Sequence, residues 1–249
     1  MENVPRLYIN SVLCLVGRSV LNRIQISRFR NWAKLAADHA LRRNNWTLRF
    51  FLKEDEISGI FMRQNTQEIY TTEYASFEDF AKEDPKYNQI TDILMDNEND
   101  FTDDTDAFYD PDAPWTTIAS AKNVESLKRL FVRRINYSDL ASLCLDELDS
   151  VGVHSAIIGH LVDKNVAVKV LDLKYCSPAS MEVLRSCVQG NRLTNVSLEG
   201  AWPLETTVPL LETLVRRGQL ELLDCGLDDT CDALESLRED WSCRQWDRE

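Results

Sequence analysis

Histidine, glycine and long apolar runs are scarce in this chain, and each shortage removes a class of function. Only three histidines occur among 249 residues, His39, His154 and His160. The last two are spaced to fall on different faces of a helix, so neither an H-x-x-x-H nor an HExxH zinc pair exists. Eight glycines supply no phosphate-cradling loop and no G-x-S-x-G elbow. No apolar run approaches the ~18 residues that cross a bilayer. An N-terminus carrying Glu2, Arg6 and Arg18 is not a secretory signal. The expectation is a soluble protein of the cytoplasm and/or nucleus, with no membrane partner. The seven cysteines include no CxxC pair and are odd in number, which excludes a disulfide framework and a zinc site. Cys14, Cys144 and Cys187 stand in apolar runs, where an inert buried thiol is expected. Asn-x-Ser/Thr triplets at Asn45, Asn136 and Asn195 would matter only in a secreted protein. These residues predict no catalysis, no cofactor and no metal.

Charge is present in quantity, but its distribution matters more than the net value of −13. Residues 1 to 50 hold nine Lys/Arg and two Asp/Glu, whereas residues 87 to 121 hold nine Asp/Glu and no Lys or Arg. A basic N-terminal segment inside an acidic protein favours an acidic partner, through steering and rim contacts. Nucleic acid fits poorly, because the rest of the chain repels phosphate and the cations lie on no nucleic-acid motif.

The basic segment carries helical periodicity. Ile9, Val12, Leu13 and Val16 share one face of a helix that follows Val4-Pro5. Leu21 and Ile24 mark a short second helix. Phe29, Trp32, Ala33, Ala36 and Ala40 define a third, which should end at Asn44-Asn45. Three short strand-like segments follow at Trp46 to Leu52, Ile57 to Arg63 and Glu68 to Ala75, reading as an antiparallel meander. Trp46, Phe50, Phe51, Phe61 and Tyr70 on them read as a packing seam between the helices and the C-terminal half, the alternative being an aromatic binding surface. Ser76-Phe77-Glu78-Asp79 has the chemistry of a capped helix start, to about Lys82. Glu83 to Pro114 is dense in Asp and Asn and reads as a long loop or partly disordered linker. Asp96, Glu98 and Asp100 have the first spacings of a calcium loop, but Phe101 and Ala107 stand where it needs Gly and Glu. Phe101, Phe108 and Tyr109 within the tract are candidates for a docking segment.

The C-terminal half repeats itself. On an L-x-x-L-x-L template the chain places Leu140, Leu143, Leu145, then Val168, Leu171, Leu173, then Leu193, Val196, Leu198, then Leu220, Leu223, Cys225. Amphipathic stretches lie between them: Ser177-Pro178 opens one in which Met181, Leu184 and Val188 share a face before Gly190, and Thr207 to Arg217 is another, closed by Gly218. A further unit is expected at Trp115 and Ile118, with Trp241 and Trp246 capping the far end. Side chains between the template leucines face the opposite surface. Cys144, Asp146, Asp172, Lys174, Ser197, Glu199 and Asp224 are therefore the candidates for contact with a target. Their acidic balance suits a target with a basic patch.

The N-terminal residues resemble an F-box: Val4-Pro5, spaced Val12, Leu13, Val16, Leu21 and Ile24, then Ser27-Arg28-Phe29-Arg30-Asn31-Trp32-Ala33-Lys34-Leu35-Ala36. Val4 replaces the family's usual Leu, and Leu7-Tyr8 stands where an acidic residue is more common. The unit Val168 to Cys176, with Leu184 and Cys187, is similar to the cysteine-containing leucine-rich repeat, in which a buried Cys ends the strand segment. Leu148, Ala201 and Asp228 replace that Cys in the other units. The two resemblances together imply an α/β chain of four parts: an F-box-like three-helix module (1–45), a small β meander with a helix (46–82), an acidic linker (83–114) and a leucine-rich-repeat-like solenoid (115–249). They imply a non-catalytic subunit of a Skp1-cullin-F-box ubiquitin ligase, gripping an acidic Skp1-type adaptor, and through it a cullin, while the solenoid holds a target protein. Adaptor contact is expected among Pro5, Leu7, Ile9, Val12, Leu13, Val16, Leu21, Ile24 and Trp32, a set that also includes residues internal to the helices. The alternatives are a repeat-based scaffold whose N-terminal helices only cap the solenoid, and an enzyme holding a divalent cation on the acidic tract.

Overall fold

The computed structural model of the chain describes residues 4–53, 56–64, 71–97, 112–118, 134–145, 159–164 and 166–227, with Asp110 and single positions within 125–129 and 235–241. The chain divides into two compact units, Met1–Leu94 with Glu98–Leu140, and Met95–Asn97 with Ala141–Glu249.

In the first unit, α1 (Arg6–Leu15) starts after Pro5, whose carbonyl accepts the amide of Ile9 at 3.1 Å. It stops where Val16 and Gly17 turn extended, and Gly17 opens α2 (Arg18–Gln25). A Cβ at Gly17 would stand 2.3 Å from Oδ1 of Asp139, so glycine is what lets this corner approach that carboxylate. Helix α3 (Arg30–Arg42) closes the bundle. Ile9, Leu13, Leu21, Leu35 and Ala36 form its core, with Val4, Val16, Ile24, Trp32 and Ala40 packed around them. Helices shorter than ~12–15 residues are marginal alone, so this shared apolar face is what holds the eight-residue α2.

The expected third-helix end at Asn44-Asn45 is corrected: α3 stops at Arg42, and Asn44 already belongs to a strand, its amide held 2.7 Å from the Tyr87 carbonyl. The meander forms from β1 (Asn44–Lys53), β2 (Glu56–Gln64) and β3 (Thr72–Ala75). Both pairings are antiparallel, with Phe50 opposite Gly59 and Phe61 opposite Ala75. Helix α4 (Phe77–Lys82) is capped by Ser76, whose hydroxyl accepts the Asp79 amide at 3.1 Å. Trp46, Phe50, Phe51 and Phe61 are buried in this unit's core, where Phe61 and Phe80 stack at 3.8 Å; Tyr70 lies outside the described residues.

The linker expected over 83–114 is overturned at its start. Asn88–Asn97 forms β4, which lies beside β1, and Ile90, Ile93 and Met95 are fully buried. Asn88, Gln89 and Thr91 are buried too, with polar and apolar residues on both parities, so no polar-apolar alternation marks the strand. The rest of the acidic tract, including Phe101, Phe108 and Tyr109, lies outside the described residues, apart from Asp110 and 112–114. A repeat at Trp115 does not form either: β5 (Thr116–Thr117) pairs antiparallel with β2, and residues to Leu140 cluster with the first unit.

In the second unit, β6 (Ser142–Leu145), β7 (Val170–Lys174), β8 (Asn195–Gly200) and β9 (Leu222–Leu227) run parallel. The register places Leu143 beside Leu171, Val196 and Leu223, and Leu145 beside Leu173, Leu198 and Cys225. This register aligns the second and third positions of the expected template in all four strands. Between strands lie α5 (Pro178–Gly190), capped by Ser177 with proline in its first turn, and α6 (Leu204–Arg217). Both end in a left-handed residue, Asn191 at φ 54° and Gly218 at φ 67°. A backbone device also recurs: the carbonyls of Ala141, Lys169 and Thr194 each accept two successive amides from the next repeat. Trp241 is half-buried, and Trp246 lies outside the described residues.

Candidate protein-docking surfaces

The residues expected from the F-box resemblance to contact an adaptor, Pro5, Leu7, Ile9, Val12, Leu13, Val16, Leu21, Ile24 and Trp32, differ in depth. Ile9, Leu13 and Leu21 are fully buried in the bundle; Val12, Val16, Ile24 and Trp32 are half-buried; Pro5 and Leu7 face solvent. The exposed apolar surface is completed by residues outside that set. Leu7 (82 % exposed), Tyr8 (59 %) and Leu15 (68 %) make a stripe on α1, away from the face of Ile9 and Leu13, and Ile26 and Leu41 are each 87 % exposed. Helical spacing carries the signal: seven, eight, eleven and fifteen fall on the side opposite the apolar face. Arg6, Arg18, Arg23, Arg30, Lys34 and Arg42 are exposed on the three helices and Arg28 in the turn between the second and third, with Asp38 the only acidic residue among positions 4 to 43. An exposed apolar stripe on a bundle rich in cations has the make-up of a docking site for an acidic protein.

The C-terminal end of α1 is held from below. A helix leaves its last four carbonyls without helical donors. Here Arg43 donates to Leu13 O at 2.6 Å and Val16 O at 2.7 Å, Gln89 to Cys14 O at 2.8 Å, and Ser138 to Leu15 O at 2.6 Å. The carboxylate of Asp139 accepts the Arg18 amide at 2.8 Å, which opens α2, and stands 3.7 Å from Arg43. Asn136 donates to Gln89 at 2.7 Å and so joins the set. Arg43 is buried, which lowers its pKa against the opposing pull of Asp139. Arg134 repeats the device under α4, donating to the carbonyls of Phe80, Ala81 and Glu83.

His39 is wholly buried on α3, with Nε2 3.3 Å from Oδ1 of Asn10 and its ring 5.4 Å from that of Tyr87. Burial, with the cations Lys86 and Arg43, takes its pKa down to about 4. Tyr87 donates to Asp38 at 2.5 Å, and Arg42 and Lys86 stack on its ring.

In the second unit the target-contact candidates form cross-strand rows. Cys144, Asp172, Ser197 and Asp224 stand side by side, and Lys174 stands beside Glu199; each is at least partly exposed, while Asp146 lies outside the described residues. Parallel sheets normally bury both faces. This one buries the leucine face and leaves the other largely polar and at least partly exposed, with Val170 and Leu222 as its apolar members. Cys176 is corrected: it is exposed rather than buried, with its thiol 3.6 Å from the Lys174 carbonyl. Cys187 and Cys225 are the buried thiols among the described residues, and Cys187, bonded to Val166 O, is pushed up to about 11 by burial. Cys14 and Cys144, expected buried, are half-buried.

Among the described residues no group of three or more His, Cys, Asp or Glu is placed to hold a metal ion, and no helix is long and apolar enough to cross a membrane. The side chains of Asp96, Glu98 and Asp100 lie outside those residues. No protein-family profile, curated protein or solved structure matches the chain.

Proposed function

We propose that the chain is a non-catalytic recruiting subunit of a Skp1-cullin-F-box ubiquitin ligase, working in the cytoplasm and/or nucleus. In this reading α1 to α3 are an F-box-like module that docks an acidic Skp1-type adaptor, and through it a cullin. The parallel-strand unit is a leucine-rich-repeat-like solenoid that presents its polar face to a target with a basic patch. The observation that carries the reading is the exposed stripe of Leu7, Tyr8 and Leu15 on a helical bundle whose exposed charge is mostly cationic. Large apolar side chains at the centre of a charged patch are where binding energy concentrates. The solenoid half is supported by four in-register strands whose leucines share one face. The chain would supply proximity alone, raising the effective concentration of a target lysine near the charged ubiquitin. Co-purification with a Skp1-type adaptor at two salt concentrations, using the wild type and a Leu7→Asp, Leu15→Asp variant, tests it.

The second reading is a repeat-based scaffold unconnected with ubiquitin. One observation favours it: the carbonyls that end α1 are taken by side chains from β4 and from residues 138–139's own segment, so the helices are built into the first unit. Absence of adaptor binding by a well-folded chain would select it.

A further inference from the structure

The network under α1 joins residues far apart in sequence: Arg43 from the end of α3, Gln89 from β4, and Asn136, Ser138 and Asp139 from the approach to Leu140. Leu15 occupies two roles in it. Its side chain is the C-terminal end of the exposed stripe, and its carbonyl is the one Ser138 holds at 2.6 Å. The same segment fixes the first amide of α2 through Asp139, at 2.8 Å. Donors at every terminal carbonyl of a helix, together with an acceptor at the start of the next, set the direction of both helices.

We propose that Asn136–Asp139 is a clasp that positions the docking helix, so that partner affinity at Leu7, Tyr8 and Leu15 depends on residues that do not touch the partner. This rests on the adaptor reading of that stripe. Ser138 is the exposed member of the clasp, whereas Arg43, Gln89 and Asn136 are buried. It is the point at which the clasp can be opened without stranding a buried charge. A carboxylate there would have no hydrogen to give and would face both the Leu15 carbonyl and Asp139, like dipole end and like charge.

The test uses the full chain with Ser138→Asp, Ser138→Ala and Ser138→Thr. Two readouts are taken at a temperature where each is folded: backbone amide exchange, and affinity for a Skp1-type adaptor. Ser138→Asp is expected to speed exchange tenfold or more at the last turn of α1 and the first turn of α2, leaving β7 and β8 unchanged, and to weaken adaptor binding at least tenfold. Ser138→Ala moves both readouts the same way by less, and Ser138→Thr, which keeps the hydroxyl, restores them. Unchanged exchange in Ser138→Asp overturns the clasp. Faster exchange with unchanged affinity reduces it to a structural tie and overturns the positioning role. Absence of wild-type binding overturns the docking reading instead, and is distinguishable because amide exchange needs no adaptor.

Discussion

The guanidinium of Arg43 and the carboxylate of Asp139 stand 3.7 Å apart beneath the corner between α1 and α2, and each also holds one side of that corner. Arg43 takes the carbonyls of Leu13 and Val16, and Asp139 takes the amide of Arg18. Replacing Arg43 with Met leaves two carbonyls without their donor and the Asp139 carboxylate without its counter-ion. A loss of ~3–5 kcal/mol is expected, as for breaking a buried pair from one side. Chemical denaturation of the full chain checks this, and a midpoint equal to the wild type's contradicts it.

Core and surface of the helical bundle give opposite outcomes. Leu13 is fully buried, so Leu13→Asp with Val16→Asp should unfold the bundle. Leu7→Asp with Leu15→Asp changes exposed positions, and the melting temperature should stay within a few degrees while adaptor binding is lost. Thermal unfolding beside a binding assay separates the two pairs.

His39 makes the first unit acid-sensitive. Its folded pKa, about 4, lies below the ordinary 6.5, so the unfolded chain binds its proton first as pH falls. The stability this neutral histidine carries is complete above pH 6.5 and is lost progressively as pH falls to about 4. The groups acting on it are Lys86 and Arg43, which depress it further, and Asp38 and Asp84, which oppose them. A His39→Leu variant should show a shallower loss between those values in denaturation at several pH values. A slope equal to the wild type's would contradict the assignment.

On the polar face of the second unit, Glu199→Lys and Asp224→Lys are exposed changes and should leave stability within about 0.5 kcal/mol. They should weaken capture of a Lys/Arg-rich peptide, most visibly at low salt. Leu171→Ala and Leu198→Ala, both fully buried, should each cost ~2–5 kcal/mol. A larger stability loss from Glu199→Lys and Asp224→Lys than from the two leucine changes would mean the faces have been assigned the wrong way round.

The legible parts of this fold were those with a single buried face. Leu171, Leu173, Val196 and Leu198 alternate with polar neighbours, so strand position and cross-strand register could both be read from spacing. Ile9, Leu13 and Leu21 gave the bundle core for the same reason. The strand β4 was illegible because Asn88, Gln89 and Thr91 are buried with its isoleucines. Asn88 accepts from Asn44 and Trp46, and Gln89 serves Cys14 and Asn136; such tertiary bonding makes a core strand resemble an acidic loop. The docking stripe was half legible. Leu7 was in view, whereas Leu15 becomes informative only once α1 is known to end at it. The clasp could not be foreseen, since nothing in the local pattern of Asn136-Tyr137-Ser138-Asp139 points to a helix at the other end of the unit.

The most direct measurement is titration of the full chain with a Skp1-type adaptor at low and high salt, beside the Leu7→Asp, Leu15→Asp variant, with both proteins verified as folded. Wild-type binding that weakens with salt as the exposed cations of the bundle are screened is expected, and no binding by the variant. A folded wild type that fails to bind at either salt concentration, or a variant that binds as well as the wild type, would contradict the adaptor reading.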